Sequence, residues 1–144
     1  MAVTVRPAKV SDAPQLVKLF CEDLGYDCTE ALVRAQLERA LQTDRERVFV
    51  AEQEGRAVGV LHAEDYNVLY CETMKNVLGL AVAGDCRRMG IGTKLLRALE
   101  DWARETGVKM IRLNSGMSRT GAHEFYRANG FTGEKDQKRF LKTL

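Results

Sequence analysis

Apolar residues fall on two periods along this chain, one helical and one extended. Ile91, Leu95, Leu99 and Trp102 recur at helical spacing, with Leu96 and Ala103 widening the stripe, so an amphipathic helix is predicted from Ile91 to near Gly107. Leu16, Leu19, Phe20 and Leu24 form a second stripe, capped by Ser11 or Asp12, with Pro14 in the first turn and Gly25 at the end. A third helix opens at Thr29 and turns Val33, Leu37, Ala40 and Leu41 inward. Shorter β-branched or alternating runs predict strands at 3–6, 47–52, 57–64, 74–82 and 109–114. Residues 53–56 join two of these as a hairpin, and 65–73 form a polar loop with Tyr66 and Tyr70. Ser118 caps a last helix carrying Ala122, Phe125 and Tyr126, which stops at Asn129-Gly130. Residues 131–136 and 138–142 read as a final strand pair.

The order is β-α-α-β-β-β-α-β-α-β-β, an α/β arrangement with helices flanking a mixed central sheet. A chain of 144 residues is read as one domain, 1–144, with no internal repeat or linker. The formal net charge of +2 comes from interspersed charges without a basic run, so nucleic acid is not expected as a partner. No apolar stretch approaches the length of a membrane span, and the start M-A-V-T-V-R-P lacks a secretory pattern. A cytoplasmic location is the resulting expectation. Cys21, Cys28, Cys71 and Cys86 have no CxxC spacing, and only His62 and His123 could join them, so no metal site is expected.

The junction between the fourth strand and the long helix carries the chemistry. Leu80-Ala81-Val82 ends the strand, and Arg87-Arg88-Met89-Gly90-Ile91-Gly92 leads into the helix. A helix that starts on glycines presents its first N–H groups to an anion, and the absence of Cβ lets a phosphate come close. A Walker loop needs Lys directly after its second Gly, but Ile91 follows Gly90. A dinucleotide fingerprint needs a third Gly where this chain has Leu95.

The pattern Arg-x-x-Gly-x-Gly, followed at a distance by Ala122-x-x-Phe125-Tyr126-x-x-x-Gly130-Phe131, resembles the GNAT superfamily of N-acetyltransferases over the whole chain. The resemblance implies acetyl-CoA as cosubstrate and a small-molecule or peptide amine as acceptor, with a homodimer left open. It implies a central strand that bulges and splays from its neighbour, with Gly79 as the place for irregular pairing. Backbone groups of Leu80, Ala81 and Val82 would hold the pantetheine arm. Arg87, Arg88, Met89, Gly90, Ile91, Gly92 and Thr93 would cradle the pyrophosphate. Asn114, Arg119 and Ala122 would complete the cofactor side, and Tyr126 would act as the acid toward the leaving thiolate. Two departures stand out: Leu78 occupies the place where many members carry an acidic base, and Arg119 stands where many carry Asn. A CoA-binding sensor without transfer activity therefore stays open beside the enzyme. His62 and Glu64, on one face of their strand, are candidate proton relays or a plain half-buried polar pair. Glu22, Asp23, Asp27 and Glu30 suggest a cationic acceptor.

Overall fold

In the computed structural model, which describes residues 2–144, the predicted strands assemble into one five-stranded sheet in the order β1-β2-β3-β4-β5. The strands are β1 (Thr4–Pro7), β2 (Glu46–Gln53), β3 (Arg56–Tyr66), β4 (Met74–Val82) and β5 (Ile111–Leu113). The first four pair antiparallel and β4 pairs parallel to β5. That parallel pair needs a crossover, which the long helix supplies. The helices are α1 (Ala13–Glu22), α2 (Glu30–Ala40), α3 (Ile91–Glu105) and α4 (Thr120–Ala128). The chain forms two compact units, one running to Leu113 and the other Asn114–Leu144. All five strands and α1 to α3 belong to the first.

Local chemistry sets the element ends. Thr29 Oγ1 accepts the Leu32 N–H at 3.1 Å and starts α2, while Pro14 sits in the first turn of α1. Glu54 and Gly55 both adopt positive φ, 50° and 77°, which makes the β2–β3 hairpin a two-residue turn of type I′. Arg6 holds the buried Asp12 through two hydrogen bonds of 2.8 and 2.9 Å and so ties β1 to the start of α1. The Arg6 guanidinium lowers the Asp12 carboxyl below its ordinary range, against the opposing effect of burial.

The sheet is covered on both faces. Ile91, Leu95, Leu96, Leu99, Trp102 and Ala103 are buried along α3, the stripe that the periodicity marks. Gly59 on β3 lets α3 approach: a Cβ there would lie 2.9 Å from Ile91 Cγ2 and 3.1 Å from Leu95 Cδ1. Gly59→Val is therefore expected to destabilise by about 1–3 kcal/mol through overpacking, read as a lower midpoint in urea unfolding. Lys75 is fully buried on this face, with Nζ 3.4 Å from the Trp102 ring centroid and paired to Asp65. The opposite face lies under α1 and α2, where Leu16, Leu19 and Leu37 are buried.

Two expectations are corrected. Residues 131–142 form no strand pair; after α4 no strand occurs among the described residues. The run carries Lys135, Asp136, Lys138, Arg139 and Lys142, and a pattern with so many charges gains little from a pleated surface. Arg119 rather than Ser118 is the N-cap of α4, and it makes no side-chain cap bond.

Candidate functional site

The site grows from an irregularity in β4. His62 of β3 faces Gly79, but Ala63 faces Val77, so Leu78 is an extra residue on β4. This is a β-bulge, one residue before the glycine that the sequence singles out. The pairing with β5 runs only from Lys75↔Ile111 to Val77↔Leu113. From Leu78 to Val82, β4 therefore has β3 on one side and no ladder partner from β5 on the other. The expected bulge is present, and the β4–β5 ladder ends at Val77, where β5 itself ends.

Beyond Val82 the chain turns through a single 3-10 turn, Gly84–Cys86, into the loop that precedes α3. Arg56 at the end of the β2–β3 hairpin clamps this turn through two hydrogen bonds to Asp85 of 2.8 and 2.9 Å. That guanidinium holds the Asp85 carboxyl down to about 2. Arg88 adopts φ 66° and Gly90 φ 76°, so two left-handed residues shape the loop. Gly90 is the N-cap of α3 and offers no side chain to it, leaving main-chain donors as the chemistry of that helix end. Arg87, Arg88, Met89 and Gly90 are exposed, Gly92 and Thr93 half-buried. Ile91 and Ala81 are buried as whole residues, at 1% exposure each. Leu80 and Val82 are half-buried.

An internal carboxylate meets this loop. Asp23, just past α1, pairs with Arg87 and accepts the Val82 N–H at 3.4 Å. One side chain thus touches both the basic loop and the open part of β4. Glu30 pairs with Arg34. Of the four carboxylates that suggest a cationic acceptor, these two are already committed to arginines.

Two cavities adjoin the β3–β4 region. The larger, about 560 Å3, is polar and is lined by Arg39, Arg45, Glu46, Glu64 and Tyr66 among others. The smaller, about 280 Å3, lies between α1, α2 and the sheet and includes Leu78 and Gly79 of the bulge. We take the smaller as the one relevant to chemistry at β4, because it alone reaches the bulge. His62 lines it, and His62 Nε2 lies 2.9 Å from Glu46 Oε1. Hydrogen bonding from Arg39 holds the Glu46 carboxyl below its ordinary range; burial opposes this and His62 adds to it. Glu64 instead accepts from Asn76 at 2.8 Å, and Asn76 accepts from Arg112 at 2.8 Å. The sequence pairs His62 with Glu64; the structure joins His62 to Glu46 and Glu64 to Asn76. Plain counting back from the hairpin turn sets position 46 opposite position 63, and only the register shift between Ala51 and Glu52 brings Glu46 onto the face of His62.

The other expected site residues belong to the unit Asn114–Leu144. Asn114 follows β5 directly, Arg119 is exposed at the start of α4, and Ala122 is half-buried in its first turn. The Tyr126 ring stacks edge-on with Phe125 at 5.3 Å and with Phe131 at 5.5 Å. His123 Nε2 sits 2.9 Å from the Gly116 carbonyl, which anchors its ring to the preceding loop. Among the described residues no group of three or more His, Cys, Asp or Glu could hold a metal ion, and no helix is long and apolar enough to cross a membrane. Cys86 is buried and Cys71 exposed; Cys21 and Cys28 bring their sulfurs to 3.7 Å as free thiols.

Comparison with known proteins agrees with this geometry. The model of the Acetyltransferase (GNAT) family matches residues 13–131. A probable N-acetyltransferase, camello, of Xenopus laevis is 34% identical over 91 residues, covering 63% of this chain and 41% of that protein. An aminoalkylphosphonate N-acetyltransferase of Salmonella typhimurium is 26% identical over 142 residues, covering 97% of this chain and 90% of that one. The match to the Xenopus protein and to an uncharacterised N-acetyltransferase of Bacillus subtilis spans about two fifths of the length of each. Among solved structures, an aminoglycoside acetyltransferase from an uncultured soil metagenomic sample, in complex with sisomicin, has a TM-score of 0.81 at 26% identity, covering 99% of this chain and 96% of that one.

Proposed function

The chain belongs to the GNAT family of acetyltransferases, and from that premise we propose that it moves the acetyl group of acetyl-CoA to a primary amine. The observation that carries this reading is the open length of β4 beyond Val77, followed by the left-handed loop into α3. The backbone of Leu80 and Val82, on the side of β4 that β5 leaves unpaired, pairs with the pantetheine arm as an added strand would once Asp23 releases the Val82 N–H. The α3 N-terminus, with Arg87 and Arg88, receives the pyrophosphate. Main-chain N–H groups at the end of β4 stabilise the oxyanion as the amine attacks the thioester carbonyl directly. Holding both reactants in one site makes an acyl-enzyme unnecessary. The likeness to the family assigns Asn114, Arg119 and Ala122 to the cofactor and Tyr126 to the departing thiolate. Residues 1–144 act here as one acetyltransferase domain.

Thermal shift with acetyl-CoA, CoA, ATP and NAD tests the cofactor, and thiol release against an amine library tests transfer. Stabilisation by ATP or NAD alone overturns the reading. A second reading, a CoA-binding sensor, draws on Leu78 at the bulge, where the family often places an acid; binding of acetyl-CoA without turnover of any amine favours it. Asp23 competes with the pyrophosphate for Arg87 and occupies the Val82 N–H. Asp23→Asn is accordingly expected to tighten acetyl-CoA binding by up to about fivefold, the scale of an exposed ion pair, as measured by calorimetry.

A further inference from the structure

The cavity at the bulge carries more than the acetyl-transfer reading uses. None of its lining residues is Asp, Glu, Lys or Arg. Tyr26, Leu32 and Leu78 line it although these residues are 62%, 51% and 47% exposed, so three large apolar residues border one cavity while open to solvent. Such exposure costs free energy that an apolar occupant recovers. A cavity of about 150 Å3 holds a benzene ring. The volume here, about 280 Å3, suits one ring or branched chain together with a short arm. A polyamine or an aminated sugar needs carboxylates or hydroxyl partners around it, and this lining offers neither in number.

His62 stands between two environments. It lines the apolar cavity, while its partner Glu46 lines the larger polar one. Glu46 stays ionised through Arg39 and can only accept, so His62 Nε2 donates to it at 2.9 Å. In neutral imidazole that leaves Nδ1 as the basic nitrogen. This is the orientation in which a carboxylate holds a histidine ready to take a proton.

We propose that the acceptor is a primary monoamine with an apolar body, aryl-alkyl or branched alkyl, seated between α1, α2 and the β4 bulge, and that His62 is its general base. The proposal rests on the acetyl-transfer reading. The ammonium gives a proton to His62 Nδ1, and the freed amine attacks the thioester carbonyl. A C–N bond forms, the C–S bond breaks with its electron pair on sulfur, and the second proton that the nitrogen sheds on becoming an amide neutralises the thiolate. His62 then passes its proton on through the Glu46 side to the polar cavity. The groups around His62 are Glu46 of β2 with Arg39 of α2 behind it, Gln36 of α2, Cys28 and Tyr26 of the α1–α2 segment, and Glu64 two residues along β3; Leu78 and Gly79 of β4 are uncharged.

The test measures kcat/KM with acetyl-CoA for phenethylamine, isoamylamine, spermidine and kanamycin, by thiol release. The two apolar monoamines are expected to exceed the other two by more than about tenfold. Leu32→Glu, at an exposed helix position, should raise the KM for phenethylamine at least about fivefold without lowering kcat to the same extent. His62→Gln should lower kcat about 100-fold at pH 7, a deficit that shrinks as pH rises and the amine loses its proton unaided. Spermidine or kanamycin turning over as well as phenethylamine overturns the substrate class. A His62→Gln deficit that is constant with pH overturns the base. Acetyl-CoA binding with no turnover of either apolar amine overturns the whole proposal, and absence of acetyl-CoA binding overturns the underlying acetyl-transfer reading.

Discussion

Tyr126→Phe is expected to cut turnover by about 10- to 1000-fold while leaving acetyl-CoA affinity and the melting temperature nearly unchanged. The substitution keeps the ring and removes the hydroxyl. Three contacts survive: Phe125 and Phe131 pack edge-on against the ring, and the Tyr126 carbonyl still accepts the Phe131 N–H at 3.1 Å. A phenol with an ordinary pKa near 10 stays protonated at neutral pH and can donate to a thiolate whose parent thiol lies near 8.5. That transfer runs slightly uphill, so a strong hydrogen bond to the developing charge is the larger part of the effect. Single-turnover kinetics reads the chemical step directly. Were Tyr126 purely structural, stability would fall by about 1 kcal/mol and turnover per folded molecule would survive.

Gly90→Val carries the second large effect, a loss of acetyl-CoA binding of about 100-fold or more. Gly90 holds φ 76° and ψ 14°, a conformation that a β-branched residue adopts only under strain of about 1–2 kcal/mol. A Cβ there meets nothing of the protein within 4 Å, so the chain itself has room for it. The damage falls on the approach of the pyrophosphate to the first N–H groups of α3, and on a loop straightened toward a conformation that valine tolerates. Calorimetry measures the loss, with circular dichroism showing that the fold persists. An unchanged dissociation constant in the folded variant removes this loop from the site.

Much of the first unit is written in local pattern. The α3 stripe from Ile91 to Ala103 and the strand Met74–Val82 emerge as the periodicity places them. The long-range pairings do not. Asp23 and Arg87 are 64 residues apart, and nothing near either one signals the other. His62 and Glu46 meet because β2 shifts register between Ala51 and Glu52, a slip set by how two strands twist together. The final strand pair fails for a related reason. Alternation predicts a strand only where a neighbouring strand and an apolar face reward it, and residues 131–142 carry the alternation among charges.

The extra residue at Leu78 also changes the phase of β4. Ahead of it, odd-numbered Lys75 and Val77 look toward α3; behind it, odd-numbered Gly79 and Ala81 look toward α1 and α2. The strand is two half-strands in opposite parity, spliced at one position. Deleting Leu78 would join Val77, opposite Ala63, directly to Gly79, opposite His62, and restore a single alternation with residues 79–82 on the faces they already hold. What would be lost is the bend and added twist that the unpaired residue gives to the open length of β4, where Asp23 now reaches the Val82 N–H. For this chain, a one-residue insertion marks the place where a strand paired on both sides becomes a strand paired on one.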